Sequence, residues 1–385
     1  MLLTTTGELR AFVIAAREEP WIAVDTEFMR DRTYYPRLCL VQLASSKAAV
    51  AVDPLAEGID LAPLADLLLD PGVTKVFHAC RQDLEIFHRL LGGRLPQPVF
   101  DTQVAAMVCG FGEEVSYETL VAALTGSRID KAPRFADWTR RPLPAAQLRY
   151  ALDDVIHLRT VYERLHARVL AMGRLEWVHE ELATLLDPAL YEQRPEDAWQ
   201  RLRFRSREPR FVALVQALAA WRERRAQQRD VPRNRILPDD LLLELAAARP
   251  RSPEELRELG RIQLDRESAA EVLALVREVL ARPESALPHV PKPRSLPPGV
   301  AAVTDLLRVL LKSCAEEHEV AARLIATTSD LEKLAVDQQA PVPALRGWRR
   351  QLFGERALAL IRGRLALAVA GRRIRILELD GGGRA

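Results

Sequence analysis

The chain has 385 residues, 48% of them hydrophobic and 28% charged, with a formal net charge of +2. That length allows two or three domains at ~100–200 residues each, and that apolar content excludes a disordered chain. No stretch is long and uncharged enough to span a bilayer, because Arg362 and Arg364 interrupt the nearest one, Ala357–Ala370.

The N-terminus lacks a charged segment followed by an apolar one, so no secretory signal is expected. A short helix over Thr6–Ala16 leads into the strand Trp21–Phe28, which carries Asp25 and Glu27. Side chains two apart on a strand share a face, so these carboxylates converge. Adjacent carboxylates repel unless a cation lies between them, and Mg²⁺ or Mn²⁺ suits oxygen-only ligands. The plain alternative is a strand end with solvated acids. Leu38–Ala44 and Ala48–Val52 read as strands joined at Ser45-Ser46-Lys47, giving an antiparallel portion of a sheet. The pattern then alternates: helix Leu61–Leu69, strand Lys75–His78, helix Gln82–Leu91, and a short strand Pro98–Phe100 ending in Asp101. Such alternation predicts an α/β sheet with helices on its faces. Asp83 stands where a strand hands over to a helix, either a ligand at the sheet's carboxyl edge or an ordinary first-turn acid.

Two helices are expected between Asp101 and Gly126, then an irregular basic stretch, Ser127–Pro142, with Lys131, Arg134, Trp138, Arg140 and Arg141. Pro144 opens a helix to about Met172 whose apolar stripe runs from Leu148 to Val169. Tyr150 and Asp154 share one face of it at i,i+4, and Asp153 at i,i+3 competes with Asp154. Helix Leu175–Leu186 follows, and a first domain boundary falls near residue 200.

Charge divides at that boundary. Residues 1–200 carry 21 Lys+Arg against 29 Asp+Glu, a net of −8; residues 201–385 carry 34 against 24, a net of +10. Polyanion binding is therefore assigned to the second part. Only 6 of the 55 basic residues are Lys, so the sign of the split informs and the choice of Arg does not. Helices are predicted over Phe211–Gln228, Asp239–Ala248, Pro253–Leu259 and Glu267–Ala281. Pro283–Pro298, with six prolines, reads as a stiff linker before a helical unit over 299–371. Val231–Ala246 aligns on Val320–Ala335, 89 positions later, with Val, Ile, two Leu and Ala coinciding, which suggests two tandem all-α domains. Cysteines 39, 80, 109 and 314 show no metal or disulfide spacing and read as buried thiols of a cytoplasmic protein.

Together, Asp25-Thr26-Glu27, Asp83 and Tyr150-x-x-x-Asp154 resemble the three exonuclease motifs of the DEDD superfamily, in its tyrosine-containing branch. The likeness extends to Arg32-Thr33-Tyr34, Leu40-Val41-Gln42-Leu43, Phe100-Asp101-Thr102-Gln103, Asp137-Trp138, Arg141-Pro142-Leu143 and Gln147–Val155, all similar to the bacterial ribonuclease D family. The resemblance implies a ribonuclease H-like mixed sheet flanked by helices over 1–200. It implies two small all-α helicase-and-RNase-D C-terminal (HRDC) domains over 201–284 and 299–385, with 285–298 as linker. It implies a 3′→5′ exoribonuclease that releases nucleoside 5′-monophosphates with two divalent ions, Mg²⁺ or Mn²⁺, held by Asp25, Glu27, Asp83 and Asp154, and with Tyr150 orienting the nucleophile. The implied partners are the 3′ ends of tRNA precursors and other structured RNAs, with no membrane and a monomeric chain. Substrate contacts are expected from His78 and Arg141, base stacking from Phe28, Tyr34 and Trp138, and backbone bonding or substrate contact from Gln42. A DNA-directed exonuclease of the same superfamily and an inactive RNA-binding scaffold are the alternatives. Ending the chain near residue 200 is expected to leave chemistry intact and weaken RNA binding.

Overall fold

The computed structural model describes residues 1–129, 136–289 and 297–379. Lys131, Arg134 and residues 290–296 of the Pro-rich linker, all singled out above, lie outside them. One mixed sheet organises the N-terminal part, with strands β1 (Leu2–Leu3), β2 (Trp21–Met29), β3 (Arg37–Ala44), β4 (Ala49–Val52), β5 (Thr74–Phe77) and β6 (Val99–Asp101) in the order β1-β4-β3-β2-β5-β6. β2, β3 and β4 form the predicted antiparallel meander, while β5 and β6 add parallel to β2. The two-residue β1, parallel to β4, carries no periodic signal and was not predicted. Lys75 is fully buried in β5, where its ammonium donates to the carbonyls of Asp70, Val73 and Gln97 at 2.7, 2.6 and 2.5 Å. Those three acceptors explain how a strand interior accommodates a cation.

The connecting helices are α1 (Thr6–Ala16), α2 (Ala62–Leu68), α3 (Arg81–Leu90), α4 (Thr102–Val108), α5 (Tyr117–Thr125), α6 (Ala145–Ala171) and α7 (Leu175–Leu185). Thr5 and Glu8 form a capping box at the start of α1, and Asp101 caps α4. α6 runs ~40 Å at 1.5 Å per residue and packs on β2, β3 and β4. Its stripe Ala151, Val155, Leu158, Val161, Tyr162, Leu165 and Val169 is buried.

A second core forms from α8 (Pro209–Arg229), α9 (Arg233–Ile236), α10 (Asp239–Ala248), α11 (Pro253–Glu258) and α12 (Arg266–Ala281). A third contains α13 (Val300–Glu317), α14 (Ala322–Ile325), α15 (Thr328–Val336), α16 (Gly347–Arg349) and α17 (Glu355–Ile361), the last two joined by a π-helical stretch, Arg350–Gly354. Adding 89 to the bounds of α9 gives those of α14, and α10 and α15 likewise start 89 apart.

The helical reading of 299–371 holds to Ile361 and is corrected beyond it. Strands β7 (Leu365–Ala370) and β8 (Arg373–Glu378) form an antiparallel hairpin, so the last unit is not purely helical. Leu and Ala favour helices intrinsically, but Leu367 and Ile376, opposite one another in the hairpin, pack on the third core and select the strand. No described helix is long and apolar enough to cross a membrane.

Candidate active site

β2 lies between an antiparallel and a parallel neighbour, so its backbone is fixed on both sides. The pleat turns Asp25 and Glu27 the same way, with Gln42 opposite Asp25 and Leu40 opposite Glu27. A register shift between Glu27 and Phe28 leaves one extra β3 residue between the pairs there and bends the ribbon. α6, laid across the sheet by its apolar stripe, delivers Asp154 to the same point. Carboxylate oxygens of Asp25, Glu27 and Asp154 lie within 4.8 Å of one another. One turn earlier on α6, Tyr150 lines the same pocket as Asp154.

Asp83 stands in the first turn of α3 and is buried. It is not one of the three converging carboxylates, and accepts a 2.5 Å hydrogen bond from Thr26, the residue between Asp25 and Glu27. Thr26 is buried as well. The β5–α3 turn that places Asp83 is shaped by Asp101. That side chain accepts from the amides of Ala79 (3.1 Å) and Cys80 (2.7 Å) while capping α4 through Gln103 and Val104. Ala79 sits at φ 56°, a left-handed conformation costly for a residue with a Cβ; the hydrogen bond to its amide offsets that cost.

All four carboxylates are pushed upward. Burial, followed by repulsion from Asp25 and Asp154, raises Glu27 to about 9. Asp154 is raised to about 8 by burial and then Asp25, Asp25 to about 6 by burial, and Asp83 well above its ordinary value by burial and then Asp25. Asp25, Glu27 and Asp154 line a ~260 Å³ pocket, with no lysine or arginine among its described lining residues. A half-buried, oxygen-only donor set with uncompensated charge fits a hard divalent cation.

Comparison with known proteins agrees. A family model described as 3′-5′ exonuclease matches residues 2–170, and one described as HRDC domain matches residues 212–276. Ribonuclease D of Gluconacetobacter diazotrophicus is 50% identical over 97% of this chain and 96% of its own. Ribonuclease D of Acidiphilium cryptum is 50% identical over 98% and 97%. The chain belongs to the ribonuclease D family. The crystal structure of Escherichia coli RNase D, described as an exoribonuclease involved in structured RNA processing, is 33% identical, covers 94% of this chain and 98% of that one, and superposes with a TM-score of 0.80. The protein is thus a 3′→5′ exoribonuclease of the DEDD superfamily, a hydrolase acting on RNA with divalent metal ions.

Within this ribonuclease D frame the expected substrate residues separate. Phe28 and His78 line the acidic pocket. The Thr102 hydroxyl donates to the Phe77 carbonyl at 3.0 Å and lies 3.0 Å from His78 Nδ1, so Nδ1 carries the proton. Gln42 is fully buried and its amide has no protein partner. Three other expectations are corrected on burial and pairing. Trp138 is 2% exposed and packs against Tyr150, leaving no open face for a base. Tyr34 is buried, and its hydroxyl donates to Glu223 of α8. Arg141 holds both oxygens of Asp53 at 2.6 and 2.7 Å and donates to the carbonyls of Cys39, Trp138 and Arg140, which leaves its guanidinium no phosphate to reach.

Sequence reasoning missed Tyr117. Capped by Ser116, α5 packs on α6 and brings the Tyr117 hydroxyl to the Asp154 carbonyl, while its ring lies 5.0 Å from that of His78. Its only sequence signal is a helix-capping Ser before an aromatic residue, which does not specify the partner.

Proposed function

We propose that Asp25, Glu27, Asp83 and Asp154 hold two divalent ions, Mg²⁺ or Mn²⁺, and that the enzyme trims the 3′ ends of tRNA precursors and other structured RNAs. The meeting of Asp25 and Glu27 from β2 with Asp154 from α6 carries this reading. When bound, the ions supply a hydroxide for attack on the phosphorus and stabilise the departing 3′-oxygen. The chain's own residues set the stage for that chemistry. Asp25 raises Glu27, Asp83 and Asp154 alike and is the residue best placed to serve both ions. Asp83, held by Thr26, supports from the second rank. Burial and the neighbouring Asp154 raise Tyr150 above its ordinary value, so at neutral pH it keeps its proton and orients the attacking water rather than deprotonating it. Phe28 and His78 face the same pocket and are assigned to the terminal nucleotide.

The net charge of +10 beyond residue 200 supports structured RNA as substrate, and the four buried, unpaired cysteines support a cytoplasmic location. The proposed division is an exonuclease domain over 1–200, a first HRDC domain over 201–284, a linker over 285–298 and a second HRDC-like unit from 299. The recurrence of α9 and α10 as α14 and α15 supports it.

The test is a time course on a 5′-labelled tRNA precursor with a short 3′ trailer, in Mn²⁺, Mg²⁺ or EDTA, beside a matched DNA oligonucleotide. A metal-dependent ladder shortening from the 3′ end of the RNA, absent with Asp25→Asn, is expected. Preference for the DNA, or cleavage undiminished in EDTA, would overturn it.

A further inference from the structure

The acids explain where the phosphodiester is cut, not what holds the strand. A pocket lined by Asp25, Glu27, Glu118 and Asp154, with no described lysine or arginine, repels the phosphates that must approach it. The anchoring charge has to come from beside it.

A cavity of about 580 Å³ lies beside it, sharing Gln82 with the catalytic pocket. Two domains build it. Arg30, Arg81 and Glu85 come from the exonuclease domain, and Arg201, Arg233 and Asn234 from the helical region beyond residue 200. Its lining has four arginines against two glutamates, Glu85 and Glu192. Arg30 is paired with Glu85 and Arg201 with Glu223, whereas the side chains of Arg81 and Arg233 have no ion pair or hydrogen bond among the described residues.

The walls are held independently of those two side chains. Asp230, at the C-terminus of α8, accepts from the amides of Tyr34 and Tyr35 at 3.1 Å each. Gln193 donates to Glu85 at 2.8 Å, and Gln227 donates to the Gln193 carbonyl at 2.8 Å. The cavity is therefore preformed, with two guanidiniums uncommitted. Planar guanidinium forks suit phosphate oxygens.

We propose that this interdomain cavity seats the phosphodiester backbone of the RNA strand upstream of the scissile bond, with Arg81 and Arg233 as its phosphate ligands. It rests on the placement of the active site at Asp25, Glu27 and Asp154. A strand whose 3′ end is in the acidic pocket passes Gln82 and reaches Arg81 from the exonuclease side and Arg233 from the helical side. The first helical domain thereby completes the substrate channel. A short substrate gains nothing from the cavity, and a long one does. A smaller basic cavity of about 250 Å³ with Arg128 and Arg149 also adjoins the catalytic pocket, through Tyr150, and is the competing path.

The experiment uses full-length protein with single-stranded oligoribonucleotides. Binding of a fluorescein-labelled decamer is followed by anisotropy in EDTA, where no turnover occurs, and kcat/KM is measured with metal for the decamer and for a dinucleotide. Variants are Arg81→Ala, Arg233→Ala, Arg233→Lys, Arg149→Ala and, as a remote control on α11, Arg257→Ala. For Arg81→Ala and Arg233→Ala, decamer affinity falls about tenfold each, as for loss of a charged hydrogen bond of ~1.4 kcal/mol. The double variant's salt slope becomes shallower by about 1.4, at ~0.7 per phosphate contact on a single strand. The decamer-to-dinucleotide ratio of kcat/KM falls in parallel, Arg233→Lys recovers part of it, and Arg257→Ala matches wild type. Unchanged decamer binding in Arg233→Ala, or equal losses on dinucleotide and decamer, overturns the proposal; so does a length effect that follows Arg149 instead. A wild-type protein that binds the decamer but cleaves neither substrate would instead strike the active-site reading while leaving the binding result to stand.

Discussion

The exonuclease domain meets the two helical regions in different ways. Against α8 the contact is polar and reaches the catalytic machinery. The loop after β2 is strapped down by Tyr34 donating to Glu223, by Asp230 accepting two loop amides, and by Gln227. Arg30 in the same loop pairs with Glu85 on α3, two residues past Asp83. Against the last unit the contact lies on α4 and α7. Trp177 stacks on Trp348 at 4.3 Å and 10°, Arg174 donates to the carbonyls of His318 and Glu319, and the Ala321 amide donates to the Met107 carbonyl. Gly110 comes so close to Glu319 that a Cβ would sit 2.8 Å from its carbonyl oxygen. One interface positions the loop beside the acids; the other braces the domain's far side. The expectation that a chain ended near residue 200 keeps its chemistry is not carried by this packing, since every partner of the Tyr34 strap lies beyond that point.

Trp348→Ala tests the brace. Removing a 5%-exposed indole from a stacked pair should cost ~3–5 kcal/mol of stability. A lowered Tm with kcat/KM on single-stranded RNA unchanged below the transition is the expected result; a matching fall in kcat/KM at that temperature would erase the distinction. Tyr34→Phe tests the strap. It takes a hydrogen bond from the buried Glu223 carboxylate, leaving it Arg201 alone, at a cost of ~1.5–3 kcal/mol. Here kcat on RNA should fall along with stability, and a variant with wild-type turnover would show that the strap is only a brace.

A third prediction concerns pH in metal-free protein. Glu27 is raised to about 9 in the folded state, against ~4.3 unfolded. The native state therefore binds the extra proton, and stability is lost as pH rises through that window. In EDTA, Glu27→Gln should show a Tm that declines less than wild type from pH 5 to 9 and exceeds it at the alkaline end, with added divalent metal reversing the order. Parallel Tm profiles would mean that the acids are not repelling one another as described.

Legibility from sequence followed the range of the interaction. β2 and α6 could be read because a period of two and a period of 3.6 are local signals, and the i,i+2 and i,i+4 pairs they carry converge once strand meets helix. Motif spacing separates Asp154 from Asp153; in the fold Asp154 joins Asp25 and Glu27, whereas Asp153 lines the neighbouring cavity with Arg149. Tyr34 was misassigned because an aromatic residue near acids looks like a base-stacking platform, while its partner Glu223 lies 189 residues away. Arg141 was misassigned for the same reason, with Asp53 88 residues before it. The β7–β8 hairpin was lost because Leu-Ala-Leu-Ala satisfies helix propensity as well as strand alternation, and only packing on the third core decides.

The most direct test of the catalytic assignment is single-turnover cleavage of a 5′-labelled single-stranded RNA by Asp154→Asn and Asp153→Asn side by side, with Mn²⁺ titrated into each protein by calorimetry. The account predicts that Asp154→Asn loses both cleavage and tight Mn²⁺ uptake, while Asp153→Asn stays within a few-fold of wild type in both. Cleavage retained in Asp154→Asn and lost in Asp153→Asn would contradict it.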